Sequence, residues 1–511
     1  MSEPQRYDLA IVGGGPGGYV AAIRAAQLGI KSCLIEKGRI GGVCLNWGCI
    51  PTKALLKSAE VYELCGRAEE FGVRASKPSF DMKTAVKRSR QISEQVTKGV
   101  EYLLKQHRIA VIPGRGHIVG PHRVAVFDPG DEPVAGIEAQ NIIVATGARP
   151  RSIPGIRIDG VNIISSTEAM MLDSVPESIV IVGAGAVGVE FAYFFNAVGS
   201  KVTLLEMLPS VLPGEDAEIS KLLARFFKKQ GIEIVTSAKV ESVEVRQGGV
   251  RAAGSASENV PDNGNGDRAR RATGDGAAGG RAAVKVVVKT ENGVKEIEAS
   301  KVLMAAGVVP NSSGLGLEDL GVAFDKGGFI ETDELMRTSA EGIYAVGDVA
   351  GPPLLAHVAS AQGILSVETI AGKSPKPLKM ELMPRCVYCR PQVASVGLSE
   401  ERAIEWAKAC GKTVRVGRFP FRASGKSVAV GERDGIVKIV AEAENGRILG
   451  AAIIGGEATE LLAEIGLAQN LDATCEQILS TVHAHPTLSE AVMEAAGDAM
   501  GMAIHKPADG L

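Results

Sequence analysis

The sequence predicts an α/β protein, and three observations carry that expectation. First, 511 residues are too many for one compact core, so two to four domains are expected. Second, 62 glycines stand against 12 Phe, 7 Tyr and 2 Trp, a balance that favours tight turns and close backbone approaches. Third, the chain repeats itself at an offset of 170 positions. Residues 11–37 read IVGGGPGGYVAAIRAAQLGIKSCLIEK and residues 181–207 read IVGAGAVGVEFAYFFNAVGSKVTLLEM. Gly13, Gly15, Gly18, Gly29 and Glu36 match Gly183, Gly185, Gly188, Gly199 and Glu206. Each copy runs apolar strand, GxGxxG turn, alanine-rich helix, glycine, second strand and acidic end. One GxGxxG is weak evidence; two in full strand-turn-helix-strand context predict two Rossmann-like dinucleotide-binding units.

Each part of the repeat has a chemical reason. The glycines let the backbone turn tightly and approach a pyrophosphate, which rests on unpaired N–H groups at the helix N-terminus. Glu36 and Glu206 end the second strands, where a carboxylate accepts hydrogen bonds from ribose hydroxyls. A carboxylate at Glu206 would repel a 2′-phosphate, which argues for NAD rather than NADP over Gly183, Gly185 and Gly188. The bland alternative is a pair of βαβ units that bind nothing. Two different sites suggest two cofactors, one passing electrons to the other.

Composition excludes several other classes. A hydrophobic content of 45% with 23% charged residues is ordinary for a globular chain and too apolar for a disordered one. The 56 basic and 59 acidic side chains leave a net charge of -3, too balanced for nucleic acid or anionic membrane as main partner. No apolar run reaches a membrane span, and Met1–Asp8 lacks an apolar signal core, so a cytoplasmic location is expected. Eight cysteines are too few for a disulfide scaffold.

Directly after Glu36 comes GRIGGVCLNWGCIPTKALL, residues 38–56. Cys44 and Cys49 are four residues apart, with Gly48 relaxing the turn. Pro51 suits the first turn of a helix running on through Lys53, Leu55 and Leu56. Cys49 is therefore expected at a helix N-terminus, where the macrodipole favours a thiolate. A disulfide here would close so small a loop that it stabilises by only about 2 kcal/mol, which favours redox exchange over stapling. The alternatives are two unrelated buried thiols, or a zinc pair that no second pair completes.

CLNWGCIPTKALL resembles the active-site segment of the FAD-dependent pyridine nucleotide-disulfide oxidoreductases of the dihydrolipoyl dehydrogenase type. The resemblance runs through nearly the whole chain: ATG at 145–147, YAVGDVAG at 344–351, PLLAH at 353–357, VYCRPQVASVGLSE at 387–400 and HAHPTLSEA at 483–491. It implies FAD and NAD domains that are both Rossmann-like, plus a C-terminal α+β dimerisation domain. The FAD domain would be split between residues 1–150 and 311–378, with the NAD domain at 151–310 and the dimerisation domain at 379–511.

The resemblance also implies roles. A dihydrolipoyl thiol would attack Cys44, and Cys49 would lie against the flavin as the charge-transfer thiolate. Lys53 would approach the flavin and pair with Glu190. His485, oriented by Glu490, would be the general base. FAD would be held by Gly13, Gly15, Gly18, Glu36, Lys53, Gly116, Thr146, Gly147, Asp348, Leu355, Ala356 and His357. NAD would be held by Gly183, Gly185, Gly188, Glu190, Glu206, Val240 and Gly307. No metal site is expected; His483 and His485 would share a face only if they lay on a strand. The family's histidine reaches the cysteines of the other subunit, which implies a homodimer. The implied partners are lipoyl domains of 2-oxo acid dehydrogenase or glycine cleavage complexes, with no membrane or nucleic acid.

Three features depart from the pattern. Residues 248–283 contain no Leu, Ile, Met or aromatic residue and read as a flexible insertion in the NAD domain, where Arg268, Arg270 and Arg271 could contact an acidic partner or RNA, with a solvated loop as the bland alternative. Val308 stands where many relatives have arginine. Cys386 and Cys389 form a CxxC that reads as packing thiols. Among alternatives, glutathione reductase is disfavoured by Glu206, and mercuric reductase by the absence of cysteine in Gly497–Leu511. A non-catalytic scaffold would not need the set Cys44, Cys49, Lys53, Glu190, His485 and Glu490.

Overall fold

The computed structural model describes residues 3–74, 76–245 and 284–507. The insertion expected at 248–283 lies outside the described residues.

Three sheets organise the chain. The first places four parallel strands in the order Ala110–Pro113, Ser32–Glu36, Gln5–Val12 and Pro133–Val144. Two antiparallel strands, Arg123–Phe127 and Arg115–Gly120, follow on from the last of these. A late strand, Ile343–Ala345, returns to pair in parallel with Pro133–Val144. The parallel part is buried on both faces: helices pack on one, and the two antiparallel strands with Leu315, Leu317 and Ile330 pack on the other. Helices Pro16–Gln27 and Ala356–Ile370 pack together on one of those faces.

The second sheet repeats this plan. Strands Glu233–Val235, Lys201–Leu205, Ser178–Val182, Lys301–Met304 and Ile163–Ile164 are all parallel. An antiparallel meander of Lys239–Val245, Val284–Thr290 and Gly293–Ala299 covers one face. The chain enters and leaves this unit through a two-stranded ribbon, Ala148–Pro150 against Val308–Pro310. The helix Ala186–Ala197 is buried on nearly every side, because the second sheet lies on one flank and helix Cys49–Gly66 on the other. Phe191, Phe194 and Phe195 of this helix share one apolar core with Leu55, Leu56 and Ala59 of the cysteine helix.

The third sheet is antiparallel: Arg385–Val387, Gln392–Gly397, Ile448–Gly455, Ile436–Glu442 and Val414–Pro420. Helices Ala458–Asn470 and Glu490–Ala499 close its core through Leu462, Ile465, Val492 and Ala495. Among the described residues, no helix is long and apolar enough to cross a membrane.

The segment around 483–489 is not a strand. The facing geometry on which a His483–His485 pair depended is therefore absent, and the two imidazoles turn to different carboxylates.

Candidate active site

The two fingerprint turns are built alike. In each, the first glycine passes so close to another chain segment that a Cβ would collide. At Gly13 it would stand 2.2 Å from the Ala145 carbonyl oxygen, and at Gly183 2.4 Å from that of Ala305. The third glycine lets the helix approach its own strand, since a Cβ on Gly18 or Gly188 would lie 1.8 Å from the first glycine's oxygen. The middle glycine is different. A Cβ on Gly185 would meet nothing within 4 Å, so packing does not demand glycine there. A ligand lying against the backbone would.

Gly15 and Gly185 are the N-caps of helices Pro16–Gln27 and Ala186–Ala197, and neither helix has a side-chain cap. Helices Cys49–Gly66 and Ala356–Ile370 also begin without one, whereas Asp81, Asp216, Ser399 and Thr474 cap others in the ordinary way. Four helices thus present free N–H groups where the sequence expects cofactor or thiolate. Glu36 accepts from Gly14 N at 2.6 Å and Gly38 N at 2.7 Å; Glu206 accepts from Ala184 N at 2.7 Å and Leu208 N at 2.9 Å. Both carboxylates therefore shape the turns.

Cys44 lies in helix Gly42–Trp47, and Cys49 opens helix Cys49–Gly66. Both are thiols, and their side chains are hydrogen-bonded to each other. That bond is the largest influence on either group. It holds Cys49 down to about 7 against the opposing effect of burial, with the Lys53 ammonium helping. The same bond, reinforced by burial, pushes Cys44 far up. Cys49 is the thiolate of the pair and Cys44 the proton donor. Buried Asn46 fixes the first helix, its amide donating to the Ile40 and Gly42 carbonyls at 3.0 Å.

Lys53 Nζ donates to both Glu190 oxygens, at 2.9 and 2.8 Å. Tyr388 was not singled out in the sequence, yet its N–H donates to Glu190 at 3.0 Å and its ring lies 4.4 Å from Lys53 Nζ. No local pattern marks it, because it arrives from the third sheet.

The residues expected at FAD have a chemistry that fits that cofactor. Asp348 has no hydrogen-bond or ion-pair partner among the described residues, and burial raises its pKa, so it awaits a donor such as a hydroxyl. Thr146 Oγ1 donates to the Asn311 carbonyl at 2.8 Å, and Gly147 has a φ of +69°. Gly116 lets its strand pass Val12, where a Cβ would come within 2.9 Å of a methyl. Leu355 and Ala356 are half-buried at the start of their helix, and exposed His357 contacts the Pro384 carbonyl at 2.9 Å. In the second unit, Gly307 has a φ of +90° at the ribbon, and Val240 is buried with Val182 and Leu205.

His485 Nδ1 is 2.8 Å from Glu490, with its side chain 78% exposed. Glu490 also accepts from Thr487 N at 2.8 Å. Among the described residues, no contact joins this pair to Cys44 or Cys49 of the same chain. His483 instead meets Glu464 at 2.7 Å. Cys386 packs against the third sheet's core and Cys389 in the core shared by the cysteine helix, so the two thiols face different interiors.

Residues 7–363 match the pyridine nucleotide-disulphide oxidoreductase family, and 383–496 match its dimerisation domain. The dihydrolipoyl dehydrogenase of Chlorobaculum parvum is 49% identical over 496 residues, 97% of either chain. That of Chlorobaculum tepidum is 48% identical over 495 residues, again 97% of each. Among solved structures, LpdA of Mycobacterium tuberculosis superposes with a TM-score of 0.82 at 28% identity, covering 96% of this chain and 99% of its own.

Proposed function

The chain belongs to the pyridine nucleotide-disulphide oxidoreductase family, and from that premise we infer that it is an NAD-dependent dihydrolipoyl dehydrogenase. It is an enzyme that uses FAD and NAD and reoxidises dihydrolipoyl groups. One observation carries the reading of the site: a low-pKa thiolate, hydrogen-bonded to a second thiol, sits on a helix joined by Lys53–Glu190 to the second fingerprint helix.

The chemistry follows from the two sulfurs. In the oxidised enzyme Cys44 and Cys49 form the disulfide. A substrate thiolate attacks Cys44 because Cys49 is the better leaving group, and the Cys44–Cys49 bond breaks as the mixed disulfide forms. The second substrate thiol then closes the lipoyl disulfide and releases Cys44 as a thiol. His485 takes the substrate proton, and Glu490 holds the imidazole by Nδ1 so that Nε2 faces the thiol. FAD would supply the two-electron chemistry that links the Cys44–Cys49 dithiol to NAD. Gly13, Gly15, Gly18, Glu36 and Asp348 would hold FAD, and Gly183, Gly185, Gly188 and Glu206 would hold NAD. Lys53 places positive charge where reduction adds electrons.

The division into FAD segments 1–150 and 311–378, an NAD unit at 151–310 and a dimerisation domain from 379 is supported by the ribbon and by strand Ile343–Ala345 returning to the first sheet. A homodimer is supported by the matched dimerisation domain and by the exposure of His485, which no residue of its own chain brings to the cysteines. Lipoyl domains of 2-oxo acid dehydrogenase or glycine cleavage complexes are the proposed partners, and the cytoplasm the proposed location.

The test is the initial rate of NADH formation from NAD and dihydrolipoamide by the purified flavoprotein, with NADP in parallel. Rapid turnover with NAD alone is expected. No turnover despite bound FAD, together with activity on glutathione disulfide, would move the enzyme to another disulfide reductase.

A further inference from the structure

The peptide of the second fingerprint residue is clamped in the same way in both repeats. Gly14 N–H donates to Glu36 at 2.6 Å, and its carbonyl accepts from Gly41 N at 2.8 Å. Ala184 N–H donates to Glu206 at 2.7 Å, and its carbonyl accepts from Leu212 N at 2.9 Å. The closing residue is left-handed in both, with φ +91° at Gly41 and +45° at Leu212. A leucine in that region is strained and must be held by its surroundings.

Beyond the clamp the repeats diverge. After Gly41 the chain runs into the helix of Cys44. After Leu212 it runs into Glu215 and Asp216, whose carboxylates leave their own unit. Glu215 N–H donates back to the Leu212 carbonyl at 2.9 Å, which ties the anchor to the clamp. The Glu215 carboxylate accepts from Arg385 Nε at 3.0 Å and from the Ser395 hydroxyl. Asp216 caps helix Ala217–Lys229 and accepts Lys438 Nζ on both oxygens at 2.9 Å and Glu400 N at 3.2 Å. Lys438 is 1% exposed and also meets Glu400 at 2.6 Å and Glu218 at 3.1 Å. Arg385, Ser395 and Lys438 all lie on strands of the third sheet. Burying an ammonium so completely is unfavourable unless carboxylates surround it, and the first repeat closes its turn without any such device.

We propose that Lys438 and Arg385 are positioning residues for NAD. Through Asp216 and Glu215 they fix residues 207–212, and with them Glu206 and the Ala184 peptide, in the geometry that receives ribose and pyrophosphate. The inference rests on NAD occupying the second fingerprint. It makes the dimerisation domain part of the determinant of NAD affinity, acting through Asp216 and Glu215.

The test compares Lys438→Met, Lys438→Arg and Arg385→Met holoenzymes with the unsubstituted protein, by equilibrium NAD binding and steady-state kinetics. In Lys438→Met, the NAD Kd and KM should rise by about tenfold, the scale of a typical coupling between sites. FAD content, the dihydrolipoamide KM and kcat at saturating NAD should stay unchanged, and Lys438→Arg should recover most of the affinity. Arg385 is partly exposed, so Arg385→Met decides the matter if Lys438→Met does not retain FAD; it too should weaken NAD binding. NAD affinity unchanged in the folded variants overturns the inference alone. An unsubstituted enzyme that does not bind NAD overturns the functional reading on which it rests.

Discussion

Glu190 Oε2 lies 2.8 Å from Lys53 Nζ, and this contact joins the helix that opens with Cys49 to the helix that opens with the second fingerprint. Glu190 is the one charged residue of AVGVEFAYFFNA and is 4% exposed. A carboxylate buried in so apolar a helix is stabilised by its partners, Lys53 and the Tyr388 N–H.

Lys53→Met should raise the pKa of Cys49. The ammonium favours the thiolate, so removing it moves the value upward from about 7, by about one unit, while the larger effect of the Cys44 hydrogen bond remains. The rate of iodoacetamide alkylation of the dithiol enzyme against pH measures the shift. An unmoved inflection would show that Lys53 does not act on the thiolate.

Cys44→Ser removes the sulfur proposed to accept the substrate while keeping a hydrogen-bond donor beside Cys49. Dihydrolipoamide turnover should fall by at least about a thousandfold, with FAD content unaltered. Substantial residual turnover would mean that exchange begins at Cys49.

Gly185→Val and Gly188→Ala should fail differently. A Cβ on Gly185 enters open space, so that variant should fold and bind FAD, with an NAD KM raised by roughly tenfold or more. A Cβ on Gly188 meets the Gly183 oxygen at 1.8 Å, so that variant should lose thermal stability. Circular dichroism melting with NAD kinetics separates the two, and normal NAD affinity in Gly185→Val would argue against a dinucleotide at that turn.

Glu490→Gln should slow dihydrolipoamide oxidation by about tenfold while sparing dye reduction by NADH, which needs no proton taken from a thiol. Burial would raise the Glu490 pKa, but the Thr487 N–H and His485 outweigh it and hold the carboxyl below its ordinary value. The defect should therefore persist across the neutral range rather than fade at its lower end. Equal losses in both assays would point to a structural effect instead.

The Asp216–Lys438 pair has a pH signature. Burial would raise the Asp216 pKa, but Lys438 and the backbone donors outweigh it and hold it below the ordinary range. Lys438 is raised, its burial outweighed by the surrounding carboxylates. The Asp216 contribution to stability is complete above the ordinary aspartate pKa and is lost as pH falls through the depressed value. That of Lys438 is complete below the ordinary lysine pKa and is lost as pH rises through the elevated one. Lys438→Met should therefore cost about 3 kcal/mol near neutrality, and the gap from the unsubstituted protein should narrow in strong acid. Urea melts at neutral and acidic pH measure this.

Much of this was legible because the signals are local. The repeat with its glycines is a matter of strand-turn-helix spacing, and Cys49 opens a helix as its flanking residues predict, although its low pKa comes chiefly from the Cys44 hydrogen bond. Glu490 stands five residues after His485, within reach of a single turn. What the sequence left hidden is long-range: Tyr388 meeting Glu190, and Lys438 crossing to Asp216. Asp216 does carry an N-cap signal ahead of its helix, but nothing local says that Lys438 reaches it from a strand 222 residues away. The His483–His485 geometry failed because a proline-containing loop replaces the strand it required.

Strand Ile343–Ala345 pairs with the end of Pro133–Val144, and the whole second dinucleotide unit is inserted between them. On the ribosome, the second dinucleotide unit emerges whole while the first still lacks its last strand. Vectorial synthesis thus inverts the order of the sequence: the later unit is free to close first, and the earlier one waits for it. Protease digestion of stalled nascent chains ending near residue 350 should leave the second unit protected and the first cut, and the opposite pattern would refute this order.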